Sequence, residues 1–162
     1  MPPQQRQQFL SSLSDEEGKK LIYDWSFWAR DKQLPPPGDW FAWLLRSGRG
    51  FGKTRTGAEW VRAKVESGKC RRIALVGQTK ADVRDTMIEV GDSALMHVCP
   101  PWNRPQYEPS KRRLTWPNGA VAIAYSGDEP GQLRGPQHDL AWVDELAKFQ
   151  YPQQTWDNLE MG

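Results

Sequence analysis

The chain has 162 residues, one domain's worth, enough to bury about 70% of the surface its unfolded form exposes. A net charge of +2 is only a weak pull toward an anionic partner; Cys70 and Cys99 stand far apart, and His97 and His138 complete no ligand set, so neither a disulfide framework nor a zinc site is indicated. No apolar run approaches the roughly 18 residues of a membrane span, and Met1-Pro2-Pro3-Gln4-Gln5-Arg6 leads into no signal peptide, so the chain reads as a soluble intracellular protein.

Residues 1–10 are polar and read as loose. Ser14-Asp15-Glu16-Glu17 is a capping box that opens a helix, with Leu21, Ile22, Trp25 and Trp28 as a core-facing stripe. The nine Trp of the chain read mainly as core and domain-edge packing. Gln33-Leu34-Pro35-Pro36-Pro37-Gly38-Asp39-Trp40 cannot be helical and forms an extended connector. It leads into the apolar run Phe41-Ala42-Trp43-Leu44-Leu45, a predicted buried strand. Ser47-Gly48-Arg49-Gly50-Phe51-Gly52-Lys53-Thr54 follows, and then Arg55 to Ser67, where Ala58, Val61 and Val65 recur at helical spacing. Gly68-Lys69-Cys70 ends that helix, and Arg72 to Gly77 reads as a second buried strand. Thr79 caps a further helix, with Val83, Met87 and Val90 on one side. Pro100 to Pro109 reads as irregular, and Arg113 to Ser126 as a hairpin turning at Pro117-Asn118-Gly119. Gly127 to Gly135 is a polar loop before the strand Leu140-Ala141-Trp142-Val143, which ends in Asp144-Glu145. Strands alternating with helices imply a mainly parallel α/β sheet with the hairpin as an antiparallel excursion.

A strand, a glycine-rich turn and a helix N-terminus together make an anion site. Successive backbone N–H groups of Ser47 to Thr54 would curl around the phosphates of a nucleotide. Lys53 would reach the β- and γ-phosphates, and Thr54 would place its hydroxyl on Mg²⁺. Ser47 stands where the usual pattern has Gly, and is small enough for that position. The carboxyl ends of parallel strands face the ligand crevice, so Asp144 and Glu145 should lie near this loop. Asp144 then holds Mg²⁺ as a Walker B acid does, and Glu145 orients and deprotonates the attacking water. Lys53 lies 91 positions upstream of Asp144, which leaves room for the intervening strand–helix units.

Four strings in order, Gln33 to Trp40, Gly48 to Thr54, Arg113 to Gly119 and Leu133-Arg134-Gly135-Pro136, resemble the N-terminal ATPase domain of large terminase subunits. These are the motors that pump DNA into the procapsids of tailed bacteriophages and prophages. The resemblance runs from about Trp28 to the end, so it implies a helical segment at 1–27 and a partial ATPase domain at 28–162. The implied fold is α/β, a P-loop NTPase of the additional-strand, RecA-like class: a three-layer sandwich with a mainly parallel sheet, incomplete at its C-terminus. It implies ATP and Mg²⁺ as cofactors, with Walker A at Ser47 to Thr54 and Walker B at Asp144. By the same likeness Arg49 senses or stabilises the γ-phosphate in cis, Arg134 reaches a neighbouring subunit's nucleotide, and Gln33 reads the adenine. The implied partners are double-stranded DNA, a homo-oligomeric ring, the procapsid portal and the small terminase subunit, with no membrane, in the cytoplasm of a bacterial host.

The family continues with a coupling motif on another strand and then a nuclease domain, and this sequence ends at Gly162 before either. The expectation is a fragment of a longer protein or a truncated prophage relic, with an exposed sheet edge and a tendency to associate. A helicase or translocase ATPase of another branch, and a relic that binds nucleotide or partners without turnover, are the alternatives. Arg104, Lys111, Arg112 and Arg113 around Tyr107 and Trp116 form a candidate DNA-contacting cluster.

Overall fold

The structure, a computed structural model, describes residues 3–162. It falls into two compact units, Met1–Trp43 and Leu44–Gly162.

The first unit is helical. Residues expected to be loose instead form α1 (Pro3–Ser11), while Met1 and Pro2 lie outside the described residues. Aromatic contacts hold this helix: the Arg6 guanidinium sits 5.1 Å and 4.9 Å from the Phe27 and Trp28 ring centres, and the Phe9 and Phe27 rings are 5.9 Å apart. Ser14 caps α2 (Asp15–Ile22) through the reciprocal bonds with Glu17 that the sequence announced. The single long helix expected next breaks at Asp24, whose carboxylate caps a separate α3 (Trp25–Trp28). The break rotates the proposed stripe out of register. Ile22 is 60% exposed, and neither helix buries a residue fully. The Pro-rich connector departs from the extended, non-helical run expected: Gln33 closes a 3₁₀ turn (Asp31–Gln33), and the rest has neither helix nor strand and bends at Leu34, Pro37 and Gly38.

In the second unit no strand forms at Phe41 to Leu45, a run that straddles the two units. Phe41 is 81% and Leu44 84% exposed. An apolar run becomes a strand only where a neighbour supplies the ladder hydrogen bonds, and the observed sheet offers this run none. The helix that follows, α4 (Lys53–Glu66), forms as read, with Ala58, Val61 and Val65 fully buried. β1 (Arg72–Gly77) is an interior strand of the sheet, paired on both sides. Thr79 caps α5 (Lys80–Asp82), which passes into a π-helical stretch over Val83–Glu89. The wider turn, closed by Val90 N–H donating to Asp85 five residues back, changes which side chains share a face. Ile88 replaces Val90 beside Val83 and Met87 in the core, and Val90 points to solvent.

α6 (Leu95–Val98) then leads into a segment read as irregular, part of which is β2 (Gln106–Glu108). β2 pairs antiparallel with β3 (Arg113–Thr115), and β3 with β4 (Val121–Ser126), the hairpin the Pro-Asn-Gly turn announced. β5 (Leu140–Val143) pairs parallel with β1, as does β4, giving the order β2-β3-β4-β1-β5. α7 (Pro152–Glu160) closes the chain.

The sheet is covered on both faces, which explains the near-continuous apolar runs of its parallel strands. Alternation along β1 sends Ile73 and Leu75 into a cluster with Ala58, Val61, Val83, Met87 and Leu95. Ala74 and Val76 face the other way, into a cluster with Tyr125, Leu133 and Phe149. The result is a mixed α/β sandwich. Its three parallel strands end together: Gly127 N–H donates to the Gly77 carbonyl, Ser126 Oγ to Gln78, and Asp144 N–H to Val76.

Candidate functional site

At the carboxyl ends of these strands lie the loop that precedes α4 and the acids that follow β5. Gly50 and Gly52 both take positive φ, 80° and 85°, so the chain can double back directly before the helix. Gly52 is the N-cap of α4 and has no side chain to satisfy the first-turn N–H groups. The helix therefore begins with no N-cap side chain over its first turn and with a positive dipole end beside Lys53 and Thr54. Lys53 folds over the loop, its Nζ donating to the carbonyls of Ser47 (3.1 Å) and Gly48 (3.2 Å). The Ser47 hydroxyl is buried with no hydrogen-bond partner among the described residues. Arg49 is exposed, and Phe51 and Thr54 are half-buried.

Asp144 sits one residue beyond β5. Burial, reinforced by the neighbouring Glu145, pushes its carboxyl above the usual aspartate value, while the charges of Lys53 and Lys148 pull it down. The loop lysine and the strand-end acid, distant in sequence, thus share one electrostatic neighbourhood. Glu145 takes φ 53°, a left-handed conformation uncommon for a residue with a side chain. Its carboxylate pairs with Lys148 at 2.5 Å, and that bond raises the lysine's pKa. A small cleft of about 80 Å³ opens beside the two acids, lined also by Gly77, Gln78, Thr86 and Lys148.

Other expected site residues have partners of their own. Gln33 belongs to the first unit, at the end of a 3₁₀ turn (Asp31–Gln33), where it is buried and accepts hydrogen bonds from Arg30 N–H (3.0 Å) and Nε (3.2 Å). Arg134 follows the 3₁₀ turn Pro130–Leu133 and is exposed. Its Nε donates to Asn158 Oδ1 at 3.3 Å, and Asn158, itself buried, donates to the Pro130 carbonyl at 2.8 Å. Two members of the basic cluster proposed for DNA share one carboxylate: Glu108 pairs with both Lys111 and Arg113, each at 2.7 Å, while Arg112 donates to the neutral Gln132 at 3.0 Å.

Sequence reasoning missed Gln78, Thr86, Lys148 and Asn158. Lys148, three residues after Glu145, and Gln78, directly after β1, carried positional signals that could have found them. Thr86 and Asn158 carried none, because only the tertiary fold brings them to their neighbours.

The family model for the N-terminal part of T4-like-virus-type terminase large subunits matches residues 44–160. The match covers most of the chain and coincides with the second compact unit. No curated protein and no solved structure matches it. No helix among the described residues is long and apolar enough to cross a membrane. The chain therefore belongs to the terminase large subunit family, of the T4-like-virus type, and carries its N-terminal region.

Proposed function

We propose that this chain is an ATP-binding and ATP-hydrolysing domain of the P-loop type, acting within the phage DNA-packaging role of its family. The observation that carries the reading is the nearness of Lys53, at the start of a helix after a glycine turn, to the half-buried Asp144, whose carboxyl feels its charge. Backbone N–H groups from Gly48 to Thr54 and the Lys53 ammonium take the phosphates. The Thr54 hydroxyl and Asp144 carboxylate are hard oxygen donors suited to Mg²⁺, which when bound neutralises phosphate charge. Glu145 holds and deprotonates the attacking water, and Arg49 stabilises charge on the γ-phosphate. Arg134 acts on the nucleotide of an adjacent copy in a ring, and Gln33 reads the base. Double-stranded DNA, the procapsid portal and the small terminase subunit are the partners this role requires.

A second reading has its own support. The Glu145–Lys148 ion pair occupies the proposed base, which fits a domain that binds nucleotide without turnover until Lys148 lets go. One experiment separates the two: titration with a fluorescent ATP analogue and Mg²⁺ alongside phosphate release, for wild type, Lys53→Ala and Glu145→Gln. Lys53-dependent binding with Glu145-dependent release supports the ATPase. Binding without release supports the second reading, and absence of Lys53-dependent binding sinks both.

A further inference from the structure

Gly57 lies on the buried face of α4, and its backbone rests directly on the indole of Trp142 from β5. A Cβ placed at Gly57 would fall within 3.0 Å of three indole atoms, Cε2, Nε1 and Cζ2, closer than real Cβ contacts come. Helix and strand here approach as nearly as backbone and ring allow.

The position of that contact gives it meaning. Gly57 follows Lys53 by four residues and Thr54 by three, so it shares their helix face one turn further in. Trp142 precedes Asp144 by two residues and so stands on the same side of the strand, one pleat earlier. The contact thus lies one turn and one pleat beneath the two groups that would share a cation. Both elements are held elsewhere as well. Ala58 and Val61 are packed at zero exposure beside Gly57, and β5 is locked to β1 by the pairings Leu75↔Trp142 and Val76↔Val143. A change in thickness at this contact therefore moves α4 against β5 and is not absorbed locally.

We infer that Gly57 and Trp142 form a matched spacer that sets the gap between Thr54 and Asp144, and with it the affinity for the magnesium form of the nucleotide. The inference rests on the nucleotide-binding reading above and adds two positioning residues that touch neither phosphate nor metal. Phosphate contacts from the loop backbone and Lys53 lie on one side of the gap and survive a change in its width. A cation shared across the gap does not.

The test is equilibrium titration of the full chain with a fluorescent ATP analogue at graded Mg²⁺ concentrations, with a thermal melt of each variant. The expected result for Gly57→Ala is a rise of roughly tenfold or more in the Mg²⁺ concentration for half-maximal binding. Its Mg²⁺-free affinity should stay within about threefold of wild type. Trp142→Phe, which thins the spacer without adding an atom, should also raise the Mg²⁺ requirement. The double variant Gly57→Ala/Trp142→Phe should need less Mg²⁺ than either single one, a non-additivity that simple destabilisation does not produce. Unchanged Mg²⁺ dependence in the singles overturns the spacer while leaving the nucleotide site standing. So does a parallel loss of affinity with and without Mg²⁺ that tracks the melting point. If Gly57→Ala does not fold, Trp142→Phe decides alone: wild-type Mg²⁺ dependence refutes the spacer. If wild type shows no Lys53-dependent binding, the nucleotide reading falls and the spacer with it.

Discussion

Replacing Glu59 with alanine should destabilise the fold by about 2–3 kcal/mol. Glu59 is 2% exposed on α4 and lies between two guanidinium groups, Arg55 at 2.7 Å and Arg62 at 2.9 Å. Removing one partner of a buried ion pair costs about 3–5 kcal/mol when the other is left uncompensated. Here compensation is partial. Arg62 keeps Glu66 at 3.2 Å and the Val98 carbonyl at 3.1 Å, while Arg55 keeps the Asp92 carbonyl at 3.1 Å and is 29% exposed. A cost just below that range, about 2–3 kcal/mol, follows. At about 2–4 °C per kcal/mol for a chain of this size, the melting temperature should fall by about 5–10 °C. Burial also holds the Glu59 carboxyl above its usual value, so its charge is costly to keep. Glu59→Gln retains the volume and an acceptor and should lose about half as much. Melting followed by circular dichroism at neutral pH checks both. An alanine variant within about 2 °C of wild type would refute the reading of this ladder as structural.

Asp144→Asn should raise the melting point of the nucleotide-free chain by a few degrees while abolishing the further rise given by Mg²⁺ and nucleotide. The sign follows from the raised pKa: the folded state holds the proton more tightly than the unfolded state, so the charged form costs stability above the folded pKa. The asparagine's advantage therefore grows as pH rises through the folded value and vanishes as pH falls below the unfolded value near 4, and a variant that melts lower at every pH contradicts it. Asn158→Ala leaves the Pro130 carbonyl unpaired inside the fold and should cost about 1–3 kcal/mol. If the chain turns over ATP, Arg134→Ala should remove most of any further effect of Asn158→Ala on the rate, and full additivity of the two would show that Asn158 does not position Arg134. Glu108→Gln frees Lys111 and Arg113, so the slope of log affinity for double-stranded DNA against log salt should steepen by about two if this face binds DNA. An unchanged slope would dismiss the face.

Local chemistry made much of the fold legible. The Ser14 capping box, the helix carrying Ala58, Val61 and Val65, the hairpin at Pro117-Asn118-Gly119 and the strands Arg72–Gly77 and Leu140–Val143 each depend on contacts within a few residues or on a burial pattern with one period. The run at Phe41 to Leu45 shows the limit, since nothing in five apolar residues says whether a neighbouring strand will be there to pair with them. Val90 shows another. A change from α to π turns rotated it into solvent while its spacing still suggested the core.

For the candidate site, the sequence by itself determined the residue types: a glycine turn before Lys53 and Thr54, and adjacent acids after an apolar strand. Their distance apart, the burial that raises Asp144 and the Asn158 partner of Arg134 were decided by the tertiary structure. Motif chemistry is written in neighbours along the chain. Electrostatics and close packing depend on neighbours in space, and β5, held in the sheet by β1, meets α4 through the direct contact of Trp142 with Gly57.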